Sequence, residues 1–436
     1  MSFIKKFIPE KLLKLIRPIY HGAAAVAASF YYGRPSESIV VIGITGTAGK
    51  STTAAMLAHI LNQSGKKCGY ITTVDFFDGN NAAVNKHGLS MPGGWPLQKH
   101  LKQMLNNGCK YAIVECTSEG LAQNRHLGIN FDVALLTNLS HAHVEAHGSF
   151  GNYQQAKARL FEALQGNKRK SFFPQKMSGM DLDDPLAGFF ISFAADLKFG
   201  ISFRHVKSPS VQKVFFADVL KSGPLIEFKL QDKVFSLNML GEFNAKNAAL
   251  AAATSVVLGL DLETVSQSLK NFHGVRGRME RVPNNLGYEV IVDYGCEPAS
   301  FAAALEAAAQ LPHGKLVHVF GSTGGHRDVS KRYDFGRKSA QYADSIIVTN
   351  DDVYDSDPQK IANDVEQGIK SFKIRKPPYE IILERRAAIS KALSIAQKGD
   401  LILITGKGSE QFLVLSGNKR IEWDDVSVVK EVLNKK

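Results

Sequence analysis

The sequence predicts an α/β protein: a central P-loop domain with a mainly parallel sheet, followed by a C-terminal Rossmann-like α/β domain. Three observations predict it. A short apolar, β-branched run, Ser38–Ile44, passes straight into a Gly-rich turn ending in Lys50-Ser51, and good helix formers from Ala54 to Leu61 follow. Further runs that read as buried parallel strands come at Tyr111–Val114 and Phe131–Leu136. Beyond Phe272 the alternation starts again, with strands at Val290–Asp293, Leu316–Gly321, Ser345–Thr349 and Leu401–Thr405 and helices such as Ala299–Gln310. A chain of 436 residues has room for this, since domains run to about 100–200 residues. The expected segments are an N-terminal extension, 1–37, a central domain, 38–272, and a C-terminal domain, 273–436.

Composition narrows the class. Apolar residues make up 44% and charged residues 22%, which excludes wholesale disorder. The net charge of +12 favours anionic partners such as nucleotides or a membrane surface. Nucleic acid is not expected, because no basic–aromatic module accompanies the charge, which is diffuse outside the first 17 residues. The 4 cysteines are scattered without a CxxC pair, which argues against a disulfide scaffold or zinc ribbon and fits a reducing cytoplasm.

The first segment is distinct. Lys5, Lys6, Lys11, Lys14 and Arg17 face one acid, Glu10, while Phe3, Phe7, Leu12, Leu15, Ile16 and Ile19 recur at roughly helical spacing. The apolar run Gly22–Gly33 is too short for a bilayer span, which needs about 20 residues. Two readings remain: a helix packed on the domain that follows, or a basic amphipathic helix over residues 3–19 lying on an anionic membrane.

Next comes the phosphate loop, Gly46-Thr47-Ala48-Gly49-Lys50-Ser51-Thr52. Gly46 and Gly49 let backbone N–H groups approach phosphate oxygens at a helix N-terminus. Lys50 reaches the outer phosphates, and the Ser51 hydroxyl suits Mg²⁺. The strict spacing would put the first glycine at Ile44, and Gly43 comes one residue early, so the loop is a variant.

Glu115 ends the second strand, where ligands of open α/β sheets gather. It is a metal or water ligand or simply a surface acid. His141, His143 and His147 do not share one helical face, and no cysteine or carboxylate set completes a zinc site; one histidine on a phosphate-bound Mg²⁺ fits better. Lys157, by pattern alone, is an ordinary helix lysine.

Together these motifs resemble the Mur ligase family. The resemblance rests on Gly46–Thr53, Glu115–Leu121, Thr137–Ser140 with His143 and His147-Gly148, Lys157–Phe161, Gly241–Asn247, Gly277–Glu280, Asp293-Tyr294, Arg327-Asp328 with Lys331-Arg332, and Gly406–Gly408 with Glu410. They occur in family order from about residue 38 to the end. The resemblance implies an ATP-dependent amide ligase with ATP and Mg²⁺ as cofactors. ATP turns an acceptor carboxylate into an acyl phosphate, and an amino acid's amine displaces phosphate from it. A muramoyl-peptide-like acceptor in peptidoglycan precursor synthesis is implied as well.

Residue by residue, the resemblance places Lys50 on the β,γ-phosphates and Ser51, Glu115 and His143 on the metals. It places Lys157 where the family carries a carbamylated lysine, a further metal ligand. Gly46, Thr47, Gly49 and Thr52 complete the loop, Asn244 and Asn247 lie near adenine, and Arg278 and Asp293 reach the nucleotide from the C-terminal domain. Diaminopimelate-adding members carry Asp-Asn-Pro-Arg, whose arginine reads a distal carboxylate. Here Asp351-Asp352-Val353-Tyr354 stands instead, followed by Asp355 and Asp357. With Lys407 and Glu410 these form the expected amino-acid site. An acidic pocket would suit a distal ammonium, favouring lysine or ornithine, unless the acids only cap the helix near Pro358.

The sequence departs from the pattern at Ala48, Ala142, Cys296 and Ser409, where the family has Asn, Asp, His and His. Family members also carry an upstream domain of roughly one hundred residues that grips a UDP-sugar. Here residues 1–37 precede the first strand, so the acceptor is expected to be held differently, with a lipid-linked one as an option. Two other readings stand beside the first: a folylpolyglutamate-synthase-like ligase, and a catalytically impaired ATP-binding partner protein.

Overall fold

The computed structural model describes residues 10–85, 90–140, 147–325 and 329–434. The chain divides into two compact units. One comprises described residues of 1–218, 228–235 and 246–272, the other those of 219–227, 236–245 and 273–436.

The larger sheet contains β1 (Val40–Thr45), β2 (Cys68–Ile71), β3 (Asp75–Phe77), β4 (Ala82–Val84), β5 (Tyr111–Glu115), β6 (Val133–Leu136), β7 (Met177–Asp181), β8 (Leu197–Ser202), β9 (Lys213–Lys221), β10 (Ile226–Leu230) and β11 (Lys233–Leu237). Its order is β11-β10-β9-β8-β7-β6-β1-β5-β2-β3-β4. The strands from β9 through β2 in that order pair in parallel, and β3 and β4 add an antiparallel edge. β1 is buried along its whole length, as expected for a β-branched run covered on both faces. Gly43, one residue early for a strict phosphate loop, has a packing role. A Cβ there would lie 2.5 Å from Leu160 and 3.0 Å from Phe131. Its absence lets the Phe150–Gly166 helix, which carries Lys157, sit close on β1.

At the amino ends of β1 and β6, buried Asp132 accepts from Lys176 Nζ at 3.0 Å and from Val41 N at 2.9 Å, and it pairs with Lys170. Both lysine side chains are almost fully buried, as is the carboxylate. An isolated buried charge costs several kcal/mol, so this triad holds together only as a set.

The N-terminal segment forms a helix, Glu10–Tyr31. Its small residues pack inward: a Cβ on Gly94 would fall 2.3 Å from Ala25 Cα, and Ser29 Oγ donates to Gly128 O at 2.8 Å. Packing on the following domain, one of the two readings above, thus holds for the described part. No described helix is long and apolar enough to cross a membrane.

The second unit is built on β12 (Glu280–Arg281), β13 (Glu289–Asp293), β14 (Leu316–Phe320), β15 (Ser345–Val348), β16 (Tyr379–Ile381) and β17 (Leu401–Thr405). The order is β12-β13-β17-β14-β15-β16, parallel except at β12, which is the Rossmann-like sheet expected. A hairpin, β18 (Phe412–Leu415) and β19 (Lys419–Glu422), follows.

At its centre His318 is fully buried, bonded through Nδ1 to Ser339 Oγ at 2.8 Å and through Nε2 to Thr405 Oγ1 at 3.0 Å. Burial, with Arg385 nearby, pushes its pKa from 6.5 down to about 3. The folded state therefore keeps His318 neutral while the unfolded chain takes up a proton below pH 6.5. Stability contributed by this site falls with decreasing pH at about 1.4 kcal/mol per unit below that point. His318→Gln should flatten the dependence of the urea midpoint on pH between about pH 6.5 and 4.5. An unchanged slope would assign the acid loss to other groups.

Candidate active site

Strand order assembles the first part of the site. β1 lies between β5 and β6, so the phosphate loop, Glu115 and Thr137-Asn138 emerge side by side at the carboxyl ends of parallel strands. Gly46 has φ 147° and Gly49 φ 83°, and Gly49 caps the Lys50–Gln63 helix. Neither position has room for a side chain: a Cβ would meet Thr137 Oγ1 at 1.9 Å and Asn247 Oδ1 at 2.2 Å respectively. Ser51 and Thr52, both buried, occupy the helix's first turn. N–H groups there have no acceptor inside an α-helix, and the dipole's positive end adds to their pull on phosphate.

The loop is fixed from behind. Thr47 N donates to Asn138 O at 2.9 Å, Ala48 N to Asn138 Oδ1 at 3.0 Å, and Thr137 Oγ1 to Ala48 O at 2.6 Å. Asn138 Nδ2 adds a bond to Ala48 O at 3.1 Å. Ala48 thus contributes only its backbone to these contacts. Gly49→Ala should raise the Kd for ATP about 10- to 100-fold, because the backbone strain alone costs about 1–3 kcal/mol. Titration with a fluorescent ATP analogue would measure it, and unchanged affinity would mean that the loop does not hold nucleotide.

Glu115 is 2% exposed, although a surface acid was one of its readings. Its carboxylate accepts from Ser51 Oγ at 2.7 Å, Thr73 N at 2.9 Å and Thr73 Oγ1 at 2.8 Å. Lys157 is buried as well, at 2% exposure, and its Nζ donates to Gly46 O at 2.7 Å. Its ammonium lies 4.5 Å from the centre of the Tyr153 ring. Burial, reinforced by Lys50, pulls its pKa well below the ordinary value against the opposing influence of Glu115. Lys50 Nζ donates to Gly46 O at 3.0 Å and Thr47 O at 3.1 Å, so one carbonyl receives both ammonium groups.

His143 lies outside the described residues. Among those described, no cluster of three or more His, Cys, Asp or Glu side chains forms a metal site. Ser51 and Glu115 do present two hard oxygen donors 2.7 Å apart beside the phosphate loop, a donor set that fits Mg²⁺. His147 bonds Ser118 Oγ at 3.1 Å through Nε2.

In the second unit, Asp293 ends β13 and accepts from Met279 N at 2.8 Å and Gly295 N at 2.6 Å. Burial raises its pKa, with Arg278 pulling the other way. Arg278 lies over the Tyr294 ring at 4.2 Å, and its buried Nε has no hydrogen-bond partner among the described residues. Asn244 is buried and donates to Leu240 O at 2.7 Å. In the first unit Asn247, also buried, accepts from Thr53 Oγ1 at 3.4 Å.

The acids of the expected amino-acid site differ from an open pocket. Asp351 and Asp352 are 3% and 7% exposed. Lys407 Nζ reaches Asp352 at 2.8 Å and Asp351 at 3.8 Å, and it also pairs with Glu410. Burial pulls the Lys407 pKa down, but the three acids outweigh that and hold it above its ordinary value. A second buried cation, Arg385, pairs with Asp425 at 2.7 Å and is also held charged by Asp351 and Asp352, so the chain supplies two internal cations to this acidic cluster. Tyr354 adopts φ 57° and its hydroxyl donates to Asp352 at 3.4 Å. Asp357 caps the Pro358–Ser371 helix through Gln359 N.

Sequence reasoning missed Thr73, Tyr153, Ser322 and Thr323. Tyr153 OH and Thr47 Oγ1 are 2.9 Å apart. Ser322 Oγ and Thr323 Oγ1, in the loop after β14, are buried without hydrogen-bond partners among the described residues. The run Gly321-Ser322-Thr323-Gly324-Gly325 at a strand's carboxyl end was the available signal.

A phosphate loop joined to a buried acid and a buried lysine, with a separate Rossmann-like unit, defines an ATP-dependent ligase. Residues 44–255 match the Mur ligase middle domain, and residues 277–408 match the Mur ligase glutamate ligase domain. The UDP-N-acetylmuramoyl-L-alanyl-D-glutamate--2,6-diaminopimelate ligase of Caldanaerobacter subterraneus is 34% identical over 94% of this chain and 81% of its own length. A solved structure of an enzyme with that name is 26% identical, with TM-score 0.60 over 91% of this chain and 78% of the other. Mycobacterium tuberculosis folylpolyglutamate synthase shares the fold, with TM-score 0.67 at 18% identity over 98% of both chains. The chain belongs to the Mur ligase family, and it is an ATP-dependent, ADP-forming amide ligase.

Proposed function

We propose that this ligase adds a diamino acid without a distal carboxylate, lysine or ornithine, to a muramoyl-dipeptide-like acceptor. The observation that carries the catalytic half is the buried Lys157 amine beside the loop, with Glu115 and Ser51 converging next to it. Lys50 and the first-turn N–H groups grip ATP's outer phosphates. An acceptor carboxylate oxygen attacks the γ-phosphorus and ADP leaves. The neutral amine of the amino acid then attacks the acyl carbon, the C–O bond to phosphate breaks, and phosphate departs. Ser51, Glu115 and His143 would hold Mg²⁺, which neutralises charge where a triphosphate meets a carboxylate. Burial lowers the Lys157 pKa well below its ordinary value, which favours the uncharged amine, the form of lysine that takes up CO2 as a carbamate and so becomes a further anionic ligand. Arg278 Nε, a buried donor lacking a partner among the described residues, suits a nucleotide oxygen; Asp293 holds the Arg278 loop through Met279 N.

For the amino acid, Tyr354 stands where the diaminopimelate-adding pattern has arginine, so no cation is offered there for a distal carboxylate. Asp351, Asp352, Glu410 and Asp425 outnumber the two buried cations Lys407 and Arg385, an excess of carboxylate that suits a distal ammonium. Phosphate release from Mg-ATP, with UDP-N-acetylmuramoyl-L-Ala-D-Glu and lysine, ornithine or diaminopimelate in turn, tests this. Release requiring the acceptor and lysine or ornithine is expected. Release with diaminopimelate alone would overturn the amino-acid assignment, and release with no pair would overturn the acceptor.

A further inference from the structure

We infer that the outer face of the Glu10–Tyr31 helix, with the start of the Gly94–Asn106 helix, docks on an anionic lipid bilayer. The N-terminal helix has two apolar faces. Gly22, Ala25, Ala28 and Ser29 face inward and are buried. The opposite stripe recurs at helical spacing and stands in solvent: Ile16 43%, Ile19 73%, Tyr20 48%, Val26 38%, Phe30 59% and Tyr31 74% exposed. Trp95, 44% exposed, extends it, with its ring 5.3 Å from that of Tyr31. Contiguous exposed apolar surface of this kind marks an interaction site.

Charge selects the occupant. No acid occurs between Glu10 and Glu37. Exposed Arg17 and Arg34 stand near either end of the stripe, and exposed Lys99 lies one turn beyond Trp95. The Arg34 guanidinium sits 4.2 Å from the centre of the Phe30 ring, pairing apolar area with a cation that can reach headgroups. Tyr and Trp at such an edge prefer the bilayer interface, where one end of the ring is apolar and the other wet. A second copy packed symmetrically on this face would bring the exposed Arg17 and Arg34 of one helix towards those of the other, and the helix itself offers no acid between Glu10 and Glu37 to answer them. Since no described helix can span a bilayer, the helix lies in the headgroup plane. This extends the basic amphipathic reading of residues 3–19 to a surface reaching Trp95.

Co-flotation of the full chain with phosphatidylcholine vesicles, with and without phosphatidylglycerol, tests it. Binding should require the anionic lipid. It should weaken by more than about tenfold in the Ile19→Ser/Phe30→Ser/Tyr31→Ser variant and be released by salt more readily in Arg17→Glu/Arg34→Glu. The replaced apolar groups are solvent-exposed, so thermal unfolding should stay unchanged and show that the variants fold. In a Trp423→Phe background, which leaves Trp95 as the only tryptophan of the 2, anionic vesicles should blue-shift the fluorescence. Absence of wild-type binding, or equal binding by the serine variant, would overturn the inference. So would concentration-dependent self-association that the serine variant abolishes, which would make a second copy the occupant.

Discussion

Lys157→Ala should lower acceptor-dependent phosphate release by on the order of 10³-fold, while ATP still binds. The side chain lies against Gly46 O in a buried pocket shared with Lys50 and Glu115. A lysine serving there as a fixed cation would be poorly placed, because burial and Lys50 both disfavour its charge. The same surroundings favour a neutral, nucleophilic amine. Lys157→Arg separates the two roles, since arginine remains charged and cannot form a carbamate. It should be as inactive as Lys157→Ala, and wild-type enzyme depleted of CO2 should recover activity on addition of bicarbonate. Full activity in Lys157→Arg would show that a cation suffices.

Glu115→Ala should reduce the rate by about 10²- to 10³-fold and raise the Mg²⁺ concentration giving half-maximal activity. Removing this carboxylate takes away one of the two converging oxygen donors and leaves Ser51 Oγ and Thr73 Oγ1 without their acceptor. Thr73 holds the Glu115 carboxylate through its N–H and its hydroxyl. Thr73→Val should shift the Mg²⁺ requirement in the same direction with a smaller loss of rate, about tenfold, and Thr73→Ser should restore it. A rate loss in Glu115→Ala with an unchanged Mg²⁺ titration would remove Glu115 from the metal site.

Much of this site was legible because its signals are local. A strand, a turn needing positive φ and a helix that begins with Lys50 all lie within one short stretch of sequence. Glu115 was legible as the last residue of a buried strand. Its partner was not. Thr73 meets Glu115 because β2 pairs with β5, and strand order depends on pairings distant in sequence. The burial of Lys157 was hidden for a similar reason: it needs Gly43 to let its helix approach β1. Asp351, Asp352, Lys407 and Glu410 were readable as one acidic site, but the ion pairs that bury Asp351 and Asp352 against Lys407 were not, because they join positions distant in the chain. Asp357 was readable as a cap from the proline that follows it. The antiparallel β3–β4 edge offered little periodicity to read, with strands of three residues each.

The Asp132 triad bears on when the chain becomes a folded unit during synthesis. Asp132 precedes β6, yet both of its cations come later, at Lys170 and Lys176. A nascent chain that has emerged only to the end of the Phe150–Gly166 helix already holds the phosphate loop, Glu115 and Lys157. It also holds a carboxylate with neither of its two cations, at a cost of several kcal/mol if buried. The catalytic half therefore closes only after Lys176 has left the ribosome, and a fragment cut short of that residue should be a substrate for proteases rather than a minimal nucleotide-binding domain.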